Sequence, residues 1–201
     1  MIRWSAALWL ALATPGMATV DTWPALYDVA FVASDDVLNI RSGPGASFDI
    51  IGSLAHDAEG VEVTAVNPDE TWGRVNSGEA SGWVSMSYLD RQPQQFENFP
   101  PAIRQCFGTE PFWSIDHDGQ SLAFSSQDGA DWSVPLEAAI GSRNLLNRHA
   151  FVGDGVTLFV VPASCSDGMS DRHYGLSADV VIGGGGDGPV LLSGCCSLAG
   201  H

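Results

Sequence analysis

The spacing of turn residues is what most limits the folds open to this chain. From Val29 to Val84, short apolar or alternating runs are cut again and again by Gly, Pro, Asn and Asp. Gly reaches positive φ without strain, and Pro fixes its own φ and offers no N–H. A chain punctuated this densely forms short strands joined by turns.

Val29–Val32 and Val37–Ile40 are read as the first two strands, after an acidic lead-in at 19–28. In the second, Val37 and Asn39 share one side, and Leu38 and Ile40 share the other. Arg41-Ser42-Gly43-Pro44-Gly45 turns the chain, and extended structure resumes at Ile50–Leu54. Val61–Val66 places valine at every second position, Asn67–Glu70 is a turn, and Trp72–Val75 and Gly82–Val84 flank a Gly/Ser turn. Five pieces occur in order: LNIRSGPG at 38–45, IGSL at 51–54, WGRV at 72–75, GWV at 82–84 and SYL at 87–89. Together they resemble the bacterial SH3-like (SH3b) domain over about 29–90. The resemblance implies a compact, half-open barrel found in exported and wall-associated proteins. It further implies a binding or targeting module, often for peptidoglycan or peptides, and brings no catalytic residues with it.

A Pro-rich stretch at 93–103 separates this unit from a second one at 104–201. Asp118-Gly119, between two alternating runs, is a strong hairpin signal. Trp132–Val134, Phe151-Val152, Val156–Val161, Leu176–Ile182 and Val190–Ser193 read as further strands. Pro135–Ile140 fits either one helical turn or an irregular strand, and the glycine-rich 183–188 loop lacks a phosphate-binding pattern. CFGTEPFW at 106–113, CSDGMSD at 165–171 and GCC at 194–196 resemble an uncharacterised family of bacterial envelope proteins, related to META-type small β-barrels. That resemblance implies a small antiparallel barrel or curled sheet and carries no functional residues. The whole chain is therefore expected to be all-β.

The formal charge is −16, with 8 basic residues, all of them Arg, against 24 acidic ones. Such a field repels phosphate backbones and anionic surfaces, so neither nucleic acid nor an anionic membrane is the expected partner. Arg3, the apolar run from Trp4 to Ala13, and the small residues Gly16 and Ala18 make 1–18 an expected signal peptide. The run is too short to span a bilayer. The SH3b-like domain is then expected at 19–92, and the mature protein in the periplasm or outside the cell, with no membrane span. In that compartment Cys106, Cys165, Cys195 and Cys196 are expected to form disulfides. Adjacent strand residues point to opposite faces, so Cys195 and Cys196 each reach one of the other two, and which goes to which stays open.

Trp72, Trp83, Tyr88 and Phe48 are the candidate ligand-binding aromatics, since flat amphipathic rings suit sugar or peptide faces. They are weighed against a simpler role filling the core, with Trp72 the best surface candidate and Arg41 a brace for its loop. Asp167, Ser170, Asp171, Arg172 and His173 form the densest polar cluster. No nucleophile elbow surrounds a serine there, and a loop held by Asx turns and an Asp–Arg pair is the plainer reading. No metal, cofactor or catalytic set is expected. The expected function is a non-enzymatic envelope protein binding peptidoglycan or an envelope peptide. The alternative is an inhibitor or accessory of a lysozyme-like hydrolase, acting through 165–173.

Overall fold

The computed structural model describes residues 22–95, 99–183 and 188–199. The expected leader at 1–18 and most of the 183–188 loop lie outside them.

Side-chain alternation sets the first strand. In β1 (Ala25–Val29), Ala25, Tyr27 and Val29 are buried in the first core, and Leu26 turns the other way. The strand thus lies within the expected lead-in and stops at Val29, where a strand was expected to begin. Phe31 has φ 62° and is exposed, and a left-handed residue cannot continue a ladder. The unit continues through β2 (Val37–Arg41), β3 (Ile50–Ala55), β4 (Val61–Val63), β5 (Ala65–Val66), β6 (Trp72–Ser77), β7 (Ala80–Ser85) and β8 (Leu89–Arg91). These strands make two sheets, β4-β1-β8 and β3-β2-β7-β6-β5. Both pack on Leu38, Ile40, Val63, Val75 and Val84.

The run Val61–Val66 is two strands, not the one expected. β4 pairs with β1 and β5 pairs with β6, so the chain changes sheets at buried Thr64, whose N–H donates to Arg74 O at 2.9 Å. The last described residues of this unit stay tied to it. The Gln95 side-chain amide donates to Leu26 O and accepts from Leu26 N, at 2.8 and 2.6 Å.

The second unit is a closed barrel of eight antiparallel strands: β9 (Gln105–Thr109), β10 (Phe112–His117), β11 (Ser121–Ser126), β12 (Trp132–Gly141), β13 (His149–Gly153), β14 (Val156–Cys165), β15 (Tyr174–Ile182) and β16 (Val190–Ser197). Each pairs with its neighbour in sequence, and β16 returns to β9. Pro135–Ile140 is part of β12, with a bulge between Leu136 and Ala138. Eight strands leave an interior only wide enough for side chains. Ile115, Leu122, Phe151, Leu158 and Val180 fill it and are essentially inaccessible to solvent.

Two disulfides complete this unit. Cys106–Cys196 joins facing residues of β9 and β16, with Cα atoms 4.0 Å apart, at the seam where the barrel closes. Cys165–Cys195 ties the end of β14 to β16. The adjacent cysteines take different partners, as their opposite strand faces require. Among the described residues no helix is long and apolar enough to cross a membrane.

The first unit covers one end of the barrel. Leu26 packs on the barrel core and shares a cleft wall with Leu176 and Leu198. Gly175 lies against Pro24 and Thr64 O, so closely that an added Cβ would sit 2.8 Å from both.

Candidate functional site: an aromatic groove on the first unit

A groove of about 540 Å³ runs between β2, the 31–36 loop, the start of β6 and the end of β7. Trp72 stands on one wall and Tyr88 on another, with Asp36, Asn39 and Arg41 between them. Each wall is built locally. Trp72 N donates to Asn67 Oδ1 at 2.8 Å and Trp72 O accepts from Asn67 N at 3.0 Å, so the Asn67–Thr71 turn fixes the ring's base. Thr71 Oγ1 donates to Asp69 Oδ1 at 3.0 Å within the same turn. Tyr88 lies in a single 3-10 turn, Met86–Tyr88, and its carbonyl accepts from Ala30 N at 2.9 Å. Its side chain is 43% exposed. Arg41 Nη1 donates to Phe48 O at 2.7 Å and so braces the turn that follows β2.

The other two candidate aromatics lie elsewhere. Phe48 folds over Gly43 and Gly45, so that it covers its own loop. Trp83 is half-buried, with the Arg74 guanidinium 4.9 Å from the ring centroid, a cation–π contact on the β6–β7 face. The groove also contains Phe31, 83% exposed, which sequence reasoning did not single out. Within the apolar run Val29–Val32, read as a strand, nothing marked Phe31 as turning outward. A half-buried Trp72 and the exposed Tyr88 and Phe31, with one carboxylate and one guanidinium nearby, can stack on sugar or peptide faces and accept or donate a few directed hydrogen bonds.

The 165–173 loop is occupied in holding the units together. Asp167 Oδ1 accepts from Met169 N and Ser170 N at 3.0 and 2.9 Å, and Ser170 Oγ donates to Asp167 Oδ2 at 2.8 Å. Desolvation pushes the Asp167 carboxyl up, but these donors and the Arg172 charge outweigh it and hold it below the usual carboxylate range. Beyond this Asx turn the loop reaches the β6–β7 hairpin. Asp171 N donates to Glu79 O at 2.9 Å, and Arg172 Nε donates to Gly78 O at 2.6 Å. His173 N donates to Ser81 Oγ at 2.9 Å and to Asn76 Oδ1 at 3.1 Å. Arg172 also lies 3.7 Å from the exposed Glu79 carboxylate. None of 165–173 lines the Trp72 groove.

A second contact between the units was invisible in the sequence. Glu62 on β4 is buried, and its Oε2 is hydrogen-bonded to Ser197 Oγ and accepts from Ala199 N at 3.3 Å. Oε1 has no partner among the described residues. Burial pushes this carboxyl above the ordinary range, against the opposing pull of its hydrogen bonds. The strand alternation gives no hint of this. Glu62 does face out of the first core, but the second unit covers it there.

Comparison with known proteins agrees with the geometry of the first unit. Residues 36–90 match the family described as Bacterial SH3 domain. The Bacillus subtilis (strain 168) protein named “Putative N-acetylmuramoyl-L-alanine amidase YrvJ” is 33% identical over 57 residues, which is 28% of this chain and 10% of that protein. The chain thus spans about a tenth of that relative's length. No solved structure matches, and the family match ends before the second unit begins. Residues 36–90, which carry Trp72, Tyr88 and most of the groove's lining, are a bacterial SH3 domain.

Proposed function

We propose that this is a non-enzymatic binding protein of the bacterial cell envelope, exported to the periplasm or beyond, whose SH3 domain holds peptidoglycan or an envelope peptide against Trp72 and Tyr88. The observation that carries this reading is the groove itself. A half-buried Trp72 and an exposed Tyr88, each held at its backbone by hydrogen bonds, lie on a domain type that is also found in a protein named as a putative N-acetylmuramoyl-L-alanine amidase. The inhibitor reading, with 165–173 inserted in a hydrolase cleft, is less favoured. The N–H groups of Asp171 and His173 and the Arg172 side chain are already directed at the first unit.

Sedimentation with purified peptidoglycan sacculi tests the proposal. The protein is expected to co-sediment, and Trp72→Ala to weaken retention about tenfold, the ~1.4 kcal/mol of a modest aromatic hot spot. Trp83→Ala, outside the groove, is expected to weaken it far less. Absence of retention, or equal retention by Trp72→Ala, argues against this ligand and this site.

A further inference from the structure

We propose that a second cleft, between β1, residues 93–95 and 99–102, and the end of the barrel that faces the first unit, binds a small uncharged molecule with an apolar body and a hydrogen-bond acceptor. The cleft measures about 480 Å³, within the range of small-molecule sites. Its walls come from both units: Leu26 from the SH3 side, Leu176, Leu198 and Pro162 from the barrel, and Pro101 from between them. These walls are preformed, because Gln95 clamps the backbone of Leu26 on both sides and Arg91 Nη2 donates to Thr22 O at 2.9 Å. A site whose walls are already held loses little conformational freedom on binding.

Two polar groups at this cleft lack partners among the described residues. Trp23 Nε1 and His149 Nδ1 are both shut off from solvent with no hydrogen bond, and both residues line the cleft. His149 is only 6% exposed and sits at the first position of β13, its side chain on the inward face that Phe151 continues. Burial holds its imidazole pKa below the ordinary value, which favours the neutral ring. Buried polar groups are nearly always satisfied, so an orphan at a cavity wall marks where a bound group belongs. An indole N–H can only donate, which fixes the complementary group as an acceptor such as a carbonyl or ether oxygen. The one charged side chain among the described lining residues, Arg91, is turned onto Thr22 O and the Tyr27 ring, and beside the neutral imidazole the apolar wall favours an uncharged molecule, because a charge would be desolvated there.

The experiment uses prodan, a neutral naphthalene ketone whose fluorescence reports polarity, together with ¹H–¹⁵N spectra of the tryptophan indoles. Saturable binding is expected, with a blue-shifted emission and a moved Trp23 indole resonance, identified by its loss in Trp23→Phe. Trp23→Phe is expected to weaken binding about tenfold. Phe159→Ser, on the outer barrel wall, is expected to leave it unchanged, and 2-dimethylaminonaphthalene, which lacks the ketone, is expected to bind more weakly. Lack of saturable binding overturns the proposal. So does an unmoved Trp23 indole in the unaltered protein, or equal binding by Trp23→Phe.

Discussion

Gly194 shows how little room single residues have where the barrel closes. A Cβ built there would run into the backbone O of Phe107 on the neighbouring strand and would lie 3.0 Å from the Trp113 ring. Backbone on a paired strand cannot yield as a flexible side chain does. Gly194→Ala is therefore expected to destabilise the barrel by about 3 kcal/mol, the upper part of the overpacking range. Urea unfolding monitored by tryptophan fluorescence checks this, and a change below about 0.5 kcal/mol would contradict it. At this scale much of the first unit was legible. Leu38 and Ile40 are buried and Val37 is exposed, as their alternation required. Trp72 and Tyr88 share a groove, whereas Trp83 and Phe48 serve their own neighbourhoods. The difference was not legible because all four rings lie beside turns, and only the three-dimensional course of the 31–36 loop decides which of them border one hollow.

Elements are joined here by two bridges of unequal reach. Cys106–Cys196 spans 90 residues and closes the barrel seam, and Cys165–Cys195 spans 30 and holds the strand that leads into the 165–173 loop. In the chain-entropy account the longer bridge contributes about 4.6 kcal/mol and the shorter about 3.6. Replacing both cysteines of the seam bridge by alanine is expected to cost more stability than replacing both of the other pair. The seam pair also leaves space inside a filled barrel, because Cys106 and Cys196 are wholly buried. Paired denaturant titrations of the two double variants check the order, and the reverse order would show that chain entropy does not set it. The expectation of two staples followed from residue alternation and compartment, but their pairing required the strand order. Cys196 meets Cys106 only because β16 returns to β9. The split of Val61–Val66 was hidden for a related reason. Alternating valines specify extended chain and say nothing about which sheet each half joins. Likewise β1 was missed because its inward set, Ala25, Tyr27 and Val29, mixes small, amphipathic and β-branched residues, and so lacks a run of strong strand formers.

The two units meet through contacts that differ in chemistry, and this makes the whole molecule sensitive to pH. The Arg172 side is a set of backbone hydrogen bonds with an exposed ion pair to Glu79, which is worth little by itself. The Glu62 side is a buried carboxyl that receives Ser197 and Ala199 and leaves one oxygen without a partner among the described residues. Burial raises its pKa above the ordinary carboxylate range, so between the unfolded and folded values the folded protein holds a proton that the unfolded chain releases. Stability then falls as pH rises, beginning near the unfolded value and continuing through the folded one, and is unaffected by this group at lower pH. The loss is expected between mildly acidic and alkaline conditions, as the buried carboxyl gives up its proton without a partner for Oε1 among the described residues. Glu62→Gln removes the titration while keeping an oxygen acceptor for Ser197 and Ala199. It is expected to flatten the pH profile above pH 5 and to match the unaltered protein most closely at about pH 4, where both carry a neutral group. Thermal unfolding across that range reads the difference. A profile equally steep in Glu62→Gln would mean that another group sets the pH response, and a profile flat in the unaltered protein would mean that the buried carboxyl finds its missing partner on deprotonation.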